Sequence, residues 1–393
     1  MIGKRSSITL LIIAEIAGMS VWFSSAAVIA DMQAEAVISQ FAAAMLSSGV
    51  QGGFAIGALI YAALGLADRY DPRRVFAISA IAAAACNAAL LVAPIGGAMA
   101  IIARILTGVV LAGVYPVGMK IAVGWGVKDR GLLVGLLVGA LTLGSAAPHL
   151  LSFVGGADWR ASVGASSAIA ALAGLLILGV QLGPHHAIAP AFSISALKRA
   201  WTDKRIRLAY AGYLGHMWEL YAMWAWLGAA LLAAFSMQMA ASEAARLAKL
   251  TAFCAIAAGA LACVGAGILA DRIGKAETTI IAMGVSAISA IAAAMAYYGS
   301  PLLLIAIVIV WGASIIADSA QFSALVADYA PPPETGALLT LQTALGFALT
   351  TLTVQAAPFV SNAIGWPGLF IVLAIGPIAG ILAMIRLRRI TKE

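Results

Sequence analysis

Seven ionisable side chains stand inside long apolar runs of this sequence: Glu15, Arg104, Lys120, His149, His216, Glu219 and Asp318. In a bilayer core such a group costs about 2.5–3.5 kcal/mol on insertion scales, so it turns to a protein interior and marks a path for protons or charged solutes. Glu219 carries the strongest signal. It falls 11 residues into an apolar run that opens at residue 208, or ~16 Å along a helix, close to mid-membrane. His216 is three residues away and shares its helix face. Trp218, Tyr221 and Trp224 surround the pair with aromatic surface, and Trp22 offers more of it in the first half of the chain. A carboxylate in that setting suits proton exchange or the binding of a cationic group. The structural alternative is a His–Glu pair packed between helices.

Glu15 lies 204 residues before Glu219, so each half of the chain carries a carboxylate at nearly the same place. Asp318 lies midway along a later run, with Gln321 three residues on and Gln342 in the next run as a further polar contact. At the 203-residue offset between the halves, the counterpart of Asp318 is Tyr115. Arg104 and Lys120 occupy one run. Arg104 would lower the pKa of a carboxylate beside it, and its structural alternative is plain helix packing; Lys120 is near a run end, from which a long stem snorkels to the surface. His149 follows Pro148 and reads as a core polar residue.

The elements that must hold these groups are membrane spans. Hydrophobic residues make up 63% of the 393, charged residues 10%, and mean hydropathy is +1.03, where a soluble domain carries about 25% charged residues. A span needs about 20 apolar residues. Twelve runs qualify, near 8–30, 40–67, 75–95, 98–122, 132–154, 161–183, 208–234, 247–270, 278–299, 302–328, 337–361 and 366–386. The run from Ile8 to Ile29 reads as the first span rather than a removable leader. Residues 184–207 form a polar, basic linker, which divides the chain into 1–183, 184–207 and 208–393. Within it, Phe192 to Arg207 has the pattern of a short amphipathic helix on the membrane surface. Of the 23 Lys and Arg, all but Arg104, Lys120, Arg160, Arg246 and Lys249 fall on one side of this layout. That asymmetry, not nucleic-acid binding, accounts for the net charge of +7, and it places both termini in the cytoplasm. Glycines at four-residue spacing, Gly53 and Gly57 in span two and Gly131, Gly135 and Gly139 in span five, mark close helix packing.

A charged hairpin occurs once per half. Leu66-Ala67-Asp68-Arg69 precedes Asp71, Arg73 and Arg74, and Leu269-Ala270-Asp271-Arg272 precedes Gly274 and Lys275. Duplication of a bundle is how many secondary transporters are built. Together with Arg104, Thr107, Gly108, Ala112, Gly113 and Pro116 in span four, and with Asp158-Trp159-Arg160 before span six, these hairpins resemble the major facilitator superfamily over the whole chain. The first copy departs from the family pattern, with Leu64 at its leading glycine and Asp71-Pro72 in place of Gly-Arg.

The resemblance implies an all-α membrane protein of twelve transmembrane helices in two pseudo-twofold-related six-helix bundles. It implies alternating-access transport of a small organic solute, with proton coupling. The hairpin residues Asp68, Arg69, Asp271, Arg272 and Lys275 are then conformational braces, and Arg104 is tied to coupling. The glycine–proline pattern of proton antiporters is not reproduced around Gly139, Gly144 and Pro148, and the arginines that hold nitrate in spans two and eight of nitrate carriers are missing. The interior charges lean to a cationic, zwitterionic or proton-accompanied neutral cargo. A carboxylate carrier, a drug-type efflux pump and, more remotely, a non-transporting sensor or scaffold are the alternatives. No nucleophile–base–orienter set and no phosphate loop occurs, so neither an enzyme nor an ATP-driven machine is expected. Cys86, Cys254 and Cys263 lack metal-ligand spacing, and the adjacent His185 and His186 are a weak metal cue. No cofactor or metal is expected. The expected partners are the cargo, protons and the lipid bilayer, for a monomer in a bacterial inner membrane.

Overall fold

The structure, a computed structural model, describes residues 3–126, 129–156, 158–186 and 195–392. Lys128, and the start of the linker helix expected from Phe192, lie outside the described residues. Backbone in a bilayer must satisfy its own hydrogen bonds, which leaves the helix as the economical solution for apolar runs of this length.

Span one is three helical pieces, Lys4–Met19, Ser24–Ala27 and Ile29–Glu35. Span two is Gln40–Leu64, and span three is Pro72–Ala88 with the turn Ala89–Leu91. Span four divides into Ala98–Leu111 and Tyr115–Val123. Span five is Arg130–Gly155, and span six is Trp159–Leu176 with the turn Ile177–Gly179. A linker helix, Ser195–Thr202, leads to span seven, Lys204–Phe235, then span eight, Ala241–Ile273, and span nine, Lys275–Ala296. Span ten divides into Pro301–Ala317 and Ser319–Tyr329. Spans eleven and twelve share the run Thr335–Lys392, parted at Gly365, whose φ of 75° and ψ of 168° are not helical. The result is two six-helix bundles. An even number of spans returns the chain to its starting side, here the termini face; the opposite side is the far face.

Local chemistry sets several boundaries. Gly65, at φ 59°, terminates span two in the left-handed conformation that suits glycine. The Asp71 carboxylate accepts from the Arg73 amide at 2.9 Å and, with Pro72 at the first helical position, starts span three. Asp203 accepts from the amides of Arg205 at 2.9 Å and Ile206 at 3.4 Å. That cap starts span seven at Lys204, four residues ahead of the expected 208, and confines the linker helix to Ser195–Thr202 rather than letting it run to Arg207. The breaks at Ser20–Phe23, Ala112–Val114 and Asp318 interrupt runs that hydropathy alone draws as continuous. Those in spans four and ten fall within a residue of each other under the 203-residue repeat.

Candidate functional site

The acidic groups of the second half converge on spans seven, nine and ten. Glu219 is buried, and its two oxygens accept from Ser286 Oγ at 2.6 Å and Trp311 Nε1 at 3.3 Å. One turn earlier, His216 Nδ1 approaches Asp318 Oδ1 at 2.8 Å, with both side chains only 1% exposed. The contact is off the line that a hydrogen bond requires. Asp318 sits at the break of span ten, where its carbonyl accepts from the Gln321 amide at 2.9 Å. Phe322 and Tyr213 close over His216, with ring centroids 5.6 and 6.2 Å away. His216 and Glu219 share a helix but not a partner. Three residues rotate a side chain by about 60° from its neighbour's direction, so one meets the break of span ten and the other the wedge between spans nine and ten.

Glu15 holds the matching place in the first half. It is fully buried between span three, at Phe76, and span four, where a Cβ on Gly118 would strike its carboxylate. Neither oxygen has a hydrogen-bond partner. The wedge of spans one, three and four thus repeats that of seven, nine and ten, with Glu15 standing where Glu219 stands in the second. Tyr115 opens the second piece of span four, within coulombic range of Glu15 and of Tyr213 in the opposite half. Gln342 is buried with both amide atoms unpaired, and so is Gln51 of span two. Gln51, Ser286 and Trp311 are uncharged, so the ionisable groups of the sequence do not point to them. The available signal was a polar or indole group at mid-depth of an apolar run.

Among the described residues Arg104 hydrogen-bonds to no carboxylate and is packed between helices. Nε donates to the Leu46 carbonyl at 3.1 Å. Nη1 donates to the Val21 carbonyl at 3.0 Å, Ser24 Oγ at 3.2 Å and Asn87 Oδ1 at 2.7 Å, and Nη2 donates to the Trp22 carbonyl at 2.5 Å. All these acceptors are neutral. The break in span one frees carbonyls that a continuous helix would have used, and the guanidinium gathers them. Lys120 is paired with Asp68 and donates to the Ala67 carbonyl at 2.9 Å, so it reaches the hairpin rather than the interior. His149 is buried with Nε2 unpaired, beside Gly228 of span seven.

An aromatic plug crosses between the halves on the far side of these polar groups. Trp22 meets Tyr221 at 5.8 Å and Phe347 at 5.5 Å, Phe54 meets Phe347 at 4.5 Å, and Phe23 meets Trp224 at 5.9 Å. Trp218 does not join it; its Nε1 donates to the Val372 carbonyl of span twelve at 2.9 Å. Beyond the plug, Ser48 donates to Gln355 at 2.7 Å and Gln40 to the Pro358 carbonyl at 2.6 Å, tying span two to span eleven. Lys249 of span eight donates to Asp31 at 2.8 Å and to the Gly156 carbonyl at 2.7 Å.

At the termini face the hairpin pairings named here stay within a half. Asp68 pairs with Lys120, and Lys275 pairs with Asp328 at 2.5 Å, the same tie with the charges exchanged. Arg69, Asp271 and Arg272 are exposed. Asp71 is held below the usual carboxylate range, first by its hydrogen bonds from the Arg73 side chain.

Two repeated six-helix bundles, each with a buried carboxylate among its helices and an imidazole beside one of them, define a solute-carrier type of membrane protein. Residues 10–317 match the profile described as Major Facilitator Superfamily, and the chain belongs to that superfamily. Among solved structures, a D-xylose–proton symporter superposes with a TM-score of 0.73 at 15% identity, covering 98% of this chain and 97% of its own. The nucleoside transporter NupG, as a point mutant, gives 0.72 at 15% identity, covering 98% and 100%. The xylose transporter XylE from E. coli, in a partially occluded inward-open conformation, gives 0.71 at 13% identity, covering 98% and 99%. At such identities the likeness is one of fold. No functionally curated protein matches the sequence.

Proposed function

We propose that this chain is a proton-coupled carrier of a small cationic or zwitterionic organic solute, working by alternating access between bundles 1–183 and 208–393 joined by the 184–207 linker. The observation that carries this reading is the buried His216–Asp318 pair with Glu219 one turn away. In a dry interior one proton added to or removed from such a set changes its net charge by a full unit, and the change cannot be screened by water. A set of this kind answers to a proton and to a cationic group alike. The break at Asp318 supplies a joint that can respond when the charge changes. Arg104 and Lys120, the two cations an anionic cargo would need, are engaged elsewhere, which favours the cationic side. The charge asymmetry makes the termini face cytoplasmic. With the plug and its ties on the far side, the far face is closed in the conformation described.

The test is reconstitution into liposomes holding a pH-sensitive dye, challenged with amines, amino acids and carboxylates. An amine or amino acid that moves protons in step with itself, in wild type but not in Asp318→Asn or Glu219→Gln, supports the reading. Proton-independent flux, or flux confined to carboxylates, overturns it.

A further inference from the structure

The linker helix stands outside both bundles and their buried polar groups. Ser195–Thr202 is held to the second bundle at two points: Arg199 pairs with Glu334 of the span ten–eleven connection, and Ala200 is buried. The other face is unpartnered. Lys198, Trp201 and Thr202 are exposed, and i, i+3 and i+4 spacing puts them on one stripe. Trp201 is 57% exposed, unusual for an indole with a fixed backbone around it. Its carbonyl accepts from Arg207 Nη1 at 2.9 Å, which draws Arg207 to the same patch. Lys204 and Arg205 are exposed alongside. Arg205 leans on Asp203 at 3.4 Å and over the Tyr329 ring at 5.2 Å, whereas Lys198, Lys204 and Arg207 have no ion pair among the described residues.

We infer that this face docks on the acidic headgroup layer of the bilayer, with Trp201 seated at the headgroup level and Lys198, Lys204 and Arg207 against lipid phosphates. The chemistry fits one occupant. An indole with an apolar body and a single N–H belongs at a membrane–water interface, and basic groups beside an anionic leaflet are each drawn to it, about fivefold in binding per Lys or Arg at low salt. The helix directly precedes the first turn of span seven, at the termini face where that span would leave the bilayer. Docking there fixes the linker that joins the two moving bundles.

The experiment uses the full chain in nanodiscs of phosphatidylcholine alone, of phosphatidylcholine with phosphatidylethanolamine, and of phosphatidylcholine with phosphatidylglycerol. Hydrogen exchange of the 195–202 amides is read in each. Protection is expected to rise only with phosphatidylglycerol, to weaken with salt, and to fall on the order of 100-fold in Lys198→Gln/Lys204→Gln/Arg207→Gln, with span amides unchanged as the control for folding. Brominated phosphatidylglycerol should quench a fluorescence component that Trp201→Phe removes. Equal protection in all three lipids, or protection kept in the triple variant, overturns the inference. Neither result bears on whether the bundles carry solute.

Discussion

Arg104 shows how far a residue's type can mislead about its work. A buried arginine among carboxylates suggests an ion pair, yet its guanidinium collects neutral acceptors from spans one, two and three. Arg104→Gln should leave several buried carbonyls unpaired and lower stability by at least about 3 kcal/mol. Arg104→Lys should recover little, because an ammonium lacks the planar fork that reaches acceptors on several sides. Thermal unfolding in detergent would check both; a fully stable Lys variant would mean that charge, not geometry, is what the site needs. A second residue-level prediction concerns pH. Glu35 lies past the apolar run 8–30, at the far-face surface. It accepts from Arg160 at 2.6 and 2.7 Å and from Trp159 Nε1 at 2.8 Å, and these bonds push its carboxyl from an ordinary 4.5 down to about 2. A depressed carboxyl stabilises the fold fully above its unfolded value and loses that contribution as pH falls through its folded value. The Glu35 contact should therefore survive acidification to pH 4 and release toward about pH 2, and the Trp159 fluorescence change that reports it should be missing in Glu35→Gln.

Spacing alone did not distinguish among the elements' glycines. Gly57 of span two faces the backbone of Val109 in span four, onto which any Cβ would fall, and Gly139 of span five faces Ala260 of span eight in the opposite bundle. Gly131, from the same four-residue ladder as Gly139, faces open space. Gly57→Val should cost about 1–3 kcal/mol by overpacking, while Gly131→Ala should be neutral or slightly stabilising; equal melting temperatures for the two variants would contradict the packing described. The same limit governs how much was legible beforehand. Twelve spans, the duplication and the buried charges follow from hydropathy and from the repeated Leu-Ala-Asp-Arg, because burying apolar length and keeping charge in the interior are one-dimensional constraints. The break at Asp318, the wedge shared by Glu219, Ser286 and Trp311, and the turning of Lys120 to Asp68 are three-dimensional. They depend on helix rotation and tilt, which hydropathy does not encode.

At the scale of the whole molecule the two rims of the far-face closure are unlike. Where span two meets span eleven, Gln40, Ser48 and Gln355 make neutral hydrogen bonds. Where span eight meets span one, the tie is ionic: Lys249 and Asp31 are 13% and 16% exposed, too little for water to screen them fully. Gly156, at φ 69°, turns its carbonyl to the same ammonium, which adds the end of span five to the tie. Opening the far face has to part Lys249 from both oxygens, whereas the neutral rim can exchange its partners for water at little cost. Lys249→Met should therefore favour the far-open state by roughly 1–2 kcal/mol, a 5–30-fold shift in population. Spin labels at Val37 and Met237, exposed far-face positions on opposite bundles, would report it in a background without Cys86, Cys254 and Cys263. The variant should gain a longer-distance population, and the exchange Lys249→Asp with Asp31→Lys should return it toward wild type. An unchanged distance distribution would shift the closure to the aromatic plug, where Trp22, Tyr221 and Phe347 would then hold the bundles together by packing alone.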